Sequence, residues 1–334
     1  MSATAVPEVS VVIPSRGGQT LERAVQSALD QSDVDVEVIV VLNGALRPFE
    51  SADDRVRVLS SDPDDRGNGA RTAGIAAARA PYIALLDDDD YWHPHKLRRQ
   101  LSVLRKAPAG TMLVVGCSLE ERNPDGTAIR VSPRVPGAVG EVRAYLFRRD
   151  RIVGNLPQLQ TSTLVFPKAL GEAAPFDPAL TYHQDWSWLI AAEKAGATFT
   201  QVAQPLAYRE ITGSGSVGGR ISWDQSAEWA LGNIVDDRLL GDFLLIMVLP
   251  KALRKDDLAG ARAIFRLVQD HRPGLAARIH ATLTYGAWRL RRLAAPRREE
   301  RSGDTAGADA AASDDVAGEP TRAGIATTER AGRT

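Results

Sequence analysis

Residues 9–14 read VSVVIP, an apolar stretch broken only by Ser10, which suits a strand buried on both faces. TLERAVQSALDQ follows and places Leu21, Ala24, Val25, Ala28 and Leu29 on one helical face, with Thr20 in the N-cap position. VEVIVVL (36–42) and VRVLS (56–60) are two more strand-like runs, the first stopped by Asn43-Gly44. GNGARTAGIAAARA opens with glycines and turns alanine-rich, the pattern of a loop running into a helix. YIALL (82–86) is a fourth strand, and HPHKLRRQLSVLRK restarts a helix with Pro94 in its first turn and Leu97, Leu101 and Leu104 at helical spacing. Strands alternating with helices predict an α/β protein with a Rossmann-like, mostly parallel, doubly wound sheet. Ligands of such sheets bind beyond the carboxyl ends of the strands.

The pattern loosens after residue 110. TMLVVGCSL (111–119) and TSTLVFP (161–167) have strand character, with a helix expected near 141–149 between them. HQDWSWLIAAEKAGA is a helix closed by Gly196, and TFTQVAQPLAYRE returns as extended chain. TGSGSVGG (212–219) is a glycine-serine loop. These signals divide the chain into an α/β domain over 1–221, a helical appendage over 222–295 and a disordered tail over 296–334, where aromatics vanish and Ala, Gly, Asp, Glu, Arg and Thr dominate.

Composition narrows the function classes. Of 334 residues, 44% are hydrophobic and 25% charged, with a net charge of -1, so no global basic field exists to gather nucleic acid. Cys117 is the only cysteine, which excludes an intrachain disulfide and a cysteine-rich zinc site and fits a reducing cytoplasm. The N-terminus does not read as a signal peptide. LLGDFLLIMVLP (239–250) is too short to span a membrane and contains Asp242. YGAWRLRRLAAPRRE (285–299) mixes Trp288 and Leu290 with arginines. It suits a peripheral contact at the inner face of an anionic membrane, or a helix packed on the catalytic domain or on a second subunit.

Four consecutive carboxylates, Asp87–Asp90, follow the fourth strand. On extended backbone Asp87 and Asp89 would face one side and Asp88 and Asp90 the other. Two converging carboxylates suit Mg²⁺ or Mn²⁺, which prefer oxygen ligands and share themselves with substrate phosphates. A solvated acidic turn capping the next helix gives the same string. The glycines of GNGARTAG and the fixed charge of Arg71 offer an anion site nearby. His93 and His95 flank a proline, as candidate ligands or as solvated residues at a helix start. Trp188 is a candidate to stack on an acceptor ring, whereas Trp186, Leu189 and Ile190 read as core.

VSVVIPSRG, GNGARTAGIAAARAPYIALLDDDDYWHPHKLRRQ and HQDWSWLIAAEKAG resemble, in order and spacing, the family 2 glycosyltransferases with a GT-A fold, over roughly residues 8–220. The resemblance implies a metal-dependent, inverting transfer of a sugar from a nucleoside-diphosphate sugar to a hydroxyl acceptor, in cell-envelope or extracellular polysaccharide or glycolipid synthesis. It implies a UDP donor before GDP or dTDP and an acceptor that can be a lipid-linked saccharide; packing of the C-terminal helices on a second subunit would make a homodimer. Carried over residue by residue, Asp87 lies near the ribose with Asp88 beside it, and Asp89 holds the metal on the diphosphate. Arg71 lies at the nucleotide, Pro14, Ser15 and Arg16 form the first nucleotide-binding loop, and Asp185 is the general base. Arg209 and the loop carrying Ser214 and Ser216 resemble the family's mobile loop after the last strand, as a segment that closes over the diphosphate or as a linker. Two departures stand out. Asn43 replaces the aspartate that meets the nucleobase, and Thr72 replaces the asparagine of the family's ARN motif. Asp185 also sits where an aspartate caps a helix. The rival readings are a sugar-1-phosphate nucleotidylyltransferase, for which PSRGGQT is a poor signature, and a non-catalytic nucleotide- or sugar-binding module.

Overall fold

The first strand, β1 (Val9–Ser15), lies between β2 (Val36–Asn43) and β4 (Tyr82–Leu85), and β3 (Val56–Ser61) adds to β2, all in parallel. β1 is buried along its whole length, which explains its apolar run. β3, at the sheet edge, is half-exposed, so its VRVLS is less deeply buried than the run suggests. The computed structural model describes residues 6–44, 46–123, 125, 127–131, 142–153, 158–211 and 221–294. The expected 212–219 loop and the expected disordered tail lie outside them.

Beyond β4 the sheet becomes mixed. β8 (Val165–Pro167) runs antiparallel to β4 and to β6 (Leu113–Arg122). β6 pairs in parallel with β9 (Thr198–Glu210) and antiparallel with β7 (Ala128–Val131). A short strand absent from the sequence reading, β5 (Asp90–Trp92), lies antiparallel against β9. The order is β3-β2-β1-β4-β8-β6-β9-β5, with β7 on β6. The parallel character is thus confined to the β3-β2-β1-β4 half and the β6–β9 pair.

Helices α1 (Leu21–Leu29), α2 (Arg66–Ala77) and α3 (Lys96–Leu104) follow the expected segments. Thr20 makes no side-chain cap, and Pro94 lies before α3 rather than in its first turn. α4 (Val142–Phe147) and α5 (Lys168–Ala173) precede α6 (Gln184–Lys194). After residue 221 come α7 (Trp223–Asn233), α8 (Asp237–Phe243), a wider π-type segment Leu244–Val248, α9 (Leu249–Arg254), α10 (Leu258–Gln269) and α11 (Leu275–Ala294). One buried cluster runs from Val12 and Ile39 on the sheet through Trp188 on α6 to Phe243 and Ile264 in these later helices. Met1–Arg292 forms one compact unit; Leu293–Thr334 is a second, of which only Leu293 and Ala294 are described. Among the described residues no helix is long and apolar enough to cross a membrane.

The C-terminal helices seat the head of α6. His183, in the left-handed region at φ 54°, places Nε2 3.0 Å from Ser226 Oγ on α7. Trp229 on α7 donates Nε1–H to Ser187 Oγ at 2.8 Å. The His183 ring stacks on Trp186 at 4.7 Å, and Phe147, Trp229 and Phe243 close around them. Trp188, proposed above as an acceptor platform, is core instead. It is 2% exposed, stacks on Phe176 at 5.2 Å and donates to Ala174 O at 2.9 Å.

Two outcomes follow from this packing. Gly74 on α2 lies against β1, where an added Cβ would meet Val12 Cγ1 at 2.4 Å. Helix propensity favours alanine there by roughly 1 kcal/mol, yet Gly74→Ala should destabilise by about 1–3 kcal/mol through overpacking. Urea unfolding decides between the two signs. Burial, helped by the charge of Lys251, lowers the His183 pKa from 6.5 to about 4. The unfolded chain therefore binds a proton that the folded chain refuses. This contribution to stability is full above pH 6.5 and is lost as pH falls towards 4. Between pH 6.5 and 5 the loss is at most about 2 kcal/mol. Asparagine tolerates the left-handed backbone, so His183→Asn should unfold with a shallower dependence on pH between 7 and 5. Equal slopes in the two proteins would count against a buried neutral imidazole.

Candidate active site

β4 ends at Leu85, and the strand does not continue through the aspartates. Asp90 N donates to Asp87 O at 3.1 Å, closing a turn before β5 begins. This turn overrides the alternation expected of extended chain. It brings single oxygens of Asp87, Asp89 and Asp90 within 4.8 Å of one another, and sends Asp88 the other way. Ser15 Oγ, at the end of β1, donates to Asp88 Oδ2 at 2.5 Å and accepts from Gly17 N at 2.9 Å.

Each carboxylate has a distinct electrostatic setting. Arg71 Nη2 lies 2.7 Å from Asp87 Oδ1, and Thr161 Oγ1 donates to the same carboxylate at 3.0 Å. Burial is the largest influence on Asp87 and acts to raise its pKa. The charges of Arg71 and Arg209 and the hydrogen bonds from Arg71 and Thr161 together outweigh it and hold the pKa below its ordinary value. Asp90 is fully buried and grips Arg209 through a two-pronged pair, Nε at 2.9 Å and Nη2 at 3.0 Å. Burial pushes Asp90 up to about 7 against the pull of Arg209, with the Asp87 and Asp89 charges adding to the rise. Asp89 is exposed; partial desolvation and the Asp87 charge raise its pKa. Three oxygen donors held this closely, with more negative charge than Arg71 and Arg209 offset, fit a hard divalent cation such as Mg²⁺ or Mn²⁺.

Arg71 reaches this site from α2, the helix that begins beyond the end of β3. It is 7% exposed, and its Nη1 also approaches Asn68 Oδ1 at 3.3 Å and Gln184 Oε1 at 3.4 Å. Gln184 opens α6, and Asp185 follows it. The N-cap position belongs to His183, so Asp185 is not the cap of its helix. Its Oδ2 accepts instead from Thr161 N at 3.4 Å. Burial, then the Asp87 charge, pushes the Asp185 pKa up, with Arg71 opposing. Thr161 thus links the two carboxylates, its hydroxyl on Asp87 and its amide on Asp185.

The structure therefore brings Ser15, Arg71, Asp87, Asp88, Asp89 and Asp185 around the ends of β1 and β4. Pro14 lies on β1, and the carbonyl of the exposed Arg16 accepts from Leu46 N at 2.9 Å. Asn43, at the end of β2, donates Nδ2–H to Asp62 O at 2.5 Å and to Ser61 Oγ at 3.3 Å, so its amide nitrogen serves the following chain. Thr72 donates to Phe176 O at 3.3 Å. His93 and His95 stand apart from the carboxylates. His93 Nδ1 accepts from His95 N at 3.1 Å, an arrangement of a helix start. Ser214 and Ser216 lie outside the described residues. Sequence reasoning missed Thr161 and Gln184 and gave no role to Asp90. The hydroxyl run Thr161-Ser162-Thr163 was the available signal; it forms a short 3-10 turn whose Ser162 Oγ also receives Asp87 N at 3.0 Å.

Residues 10–163, just under half of the chain, match the model of glycosyl transferase family 2. The chain is 34% identical to the amylovoran biosynthesis glycosyltransferase AmsB of Erwinia amylovora over 48% of its own length and 53% of that protein. It is 39% identical to the succinoglycan biosynthesis protein ExoO of Rhizobium meliloti over 38% of its length and 37% of that protein. The matches thus span about half or less of these curated relatives. S. aureus TarS 1-349, solved in complex with UDP-GlcNAc, superposes with a TM-score of 0.54 at 13% identity, covering 86% of this chain and 92% of that one. The fold is shared, and the matched segment contains β1, Arg71, the four aspartates and Thr161. Residues 10–163 thus match glycosyl transferase family 2, on a GT-A fold shared with TarS.

Proposed function

We propose that this protein transfers a sugar from a nucleoside-diphosphate sugar to a hydroxyl acceptor, with inversion, during synthesis of a cell-envelope or extracellular polysaccharide or glycolipid. One observation carries the reading: Thr161 joins an arginine-held carboxylate cluster to the separate, half-buried carboxylate of Asp185. A leaving-group site and a base site are thereby fixed relative to each other. The named relatives in amylovoran and succinoglycan biosynthesis support the polysaccharide assignment, and the UDP-GlcNAc complex of TarS supports a UDP donor.

Asp89, with Asp87 and Asp90, would hold Mg²⁺ or Mn²⁺. When bound, the cation acts as a Lewis acid on the donor diphosphate. Asp87 receives the nucleotide side of the donor while Arg71 keeps it ionised. Pro14, Ser15 and Arg16 line the approach at the end of β1; Asn43 stands at the nucleobase end. Asp185 accepts the proton of the acceptor hydroxyl as that oxygen attacks the anomeric carbon opposite the diphosphate. A carboxylate whose pKa is raised by burial is a better proton acceptor near neutral pH than an exposed one. Holding both substrates in line can supply roughly 7–11 kcal/mol of the barrier reduction.

Asp185→Asn keeps the shape and removes the proton acceptor. Turnover should fall by about 100-fold to 10,000-fold, with UDP affinity and melting temperature close to the parent's. Turnover within a few-fold of the parent would place the base elsewhere. Release of nucleoside diphosphate, rather than pyrophosphate, separates this reading from nucleotidyl transfer. Asp89→Asn should weaken the Mn²⁺-dependent part of UDP binding; equal Mn²⁺-dependent stabilisation of mutant and parent would remove Asp89 from the metal site.

A further inference from the structure

The helix α11 is apolar on two opposite faces. Its inner face is accounted for: Ala277 and Ala281 are buried, and the Tyr285 ring meets Phe265 of α10 at 5.5 Å. Trp288 donates Nε1–H to Asp256 Oδ1 at 2.8 Å, and His280 Nδ1 lies 3.0 Å from Ile152 O. These contacts fix the rotation of the helix. At about 100° per residue, Leu275, Ile279, Leu283 and Leu290 then fall within about 80° of one another on the far side. Leu275 is 71% exposed, Leu283 61% and Leu290 68%, so the outer stripe is open to solvent. A contiguous stripe of exposed leucines marks a site of contact with a protein or a membrane.

The charges indicate what covers it. α11 contains Arg278, Arg289, Arg291 and Arg292 and no acidic residue. Arg278 and Arg289 border one side of the stripe and Arg291 the other by the same angular spacing. Over residues 258–292 there are seven arginines against the single acid Asp270, in a chain whose net charge is -1. A second copy docked face to face through α11 would set arginine against arginine with no carboxylate on the helix to pair them. An anionic bilayer matches both features: leucines enter the acyl boundary while flanking arginines meet phosphates.

We propose that the outer face of α11 is a docking surface for an anionic lipid bilayer. The helix lies on the surface, since no helix among the described residues can span it. The inference stands apart from the glycosyl-transfer reading and uses none of its residues.

Co-sedimentation of the full chain with vesicles tests it, comparing phosphatidylcholine alone with phosphatidylcholine plus phosphatidylglycerol. The parent should bind only the anionic vesicles, and high salt should weaken binding. Leu283→Glu with Leu290→Glu should reduce binding about tenfold or more, as should Arg289→Glu with Arg291→Glu. All four side chains point to solvent, so melting temperatures should stay near the parent's. Val235→Glu, at an 87% exposed position outside the helix, should bind like the parent. Failure of the parent to prefer anionic vesicles, or parent-like binding by the α11 variants, would overturn the proposal. So would a parent dimer in light scattering that the leucine variant splits, since the face would then belong to a second copy.

Discussion

Four adjacent carboxylates at the end of a buried strand repel one another, and the site is organised around compensating them. The turn closed by Asp90 N on Asp87 O gives each a different partner. Asp87 takes Arg71, Asp88 takes Ser15, Asp90 takes Arg209, and Asp89 faces solvent. The partners come from α2, β1 and β9, so the electrostatic requirement of one turn ties together elements far apart in sequence. Removing one cation from such an arrangement leaves an uncompensated buried charge, a larger penalty than the net worth of the pair.

The same logic places Asp185. A half-buried carboxylate near Asp87 is costly, and Thr161 N and the Arg71 charge offset only part of that cost. The remainder raises its pKa, which is the property a general base at neutral pH requires. Its helix is held from behind by α7, where Ser226 and Trp229 engage His183 and Ser187 on either side of it. The C-terminal helices therefore brace the helix that carries Asp185.

Much of this was legible in the sequence, for physical reasons that can be named. β1, β2 and β4 carry continuous apolar runs because both their faces are covered, and Leu97, Leu101 and Leu104 repeat at helical spacing because one face of α3 is buried. Arg71, Asp87, Asp89 and Asp185 stood out because charge is rare beside apolar runs and because their order resembles a known family. The remainder depended on contacts between distant residues. The partner of Asp90 lies 119 positions away on β9. Thr161 looked like the start of a strand, although its turn is what links the two carboxylates. Trp188 looked like a ring platform, yet its indole N–H finds Ala174 O and its ring finds Phe176, neither of which a local pattern reveals. Three strands of the mixed half, β6, β8 and β9, were read as extended chain, but their antiparallel pairings and the short strands Asp90–Trp92 and Ala128–Val131 have no periodicity to read.

We propose that the converging carboxylates of Asp87, Asp89 and Asp90 form a shared site for a divalent cation and a nucleoside diphosphate. Calorimetric titration of UDP into the parent protein, with and without Mn²⁺, tests it most directly. UDP should bind at least about tenfold more tightly with Mn²⁺, because the carboxylates otherwise repel the diphosphate. UDP affinity that is unchanged by Mn²⁺, or weakened by it, would contradict the account.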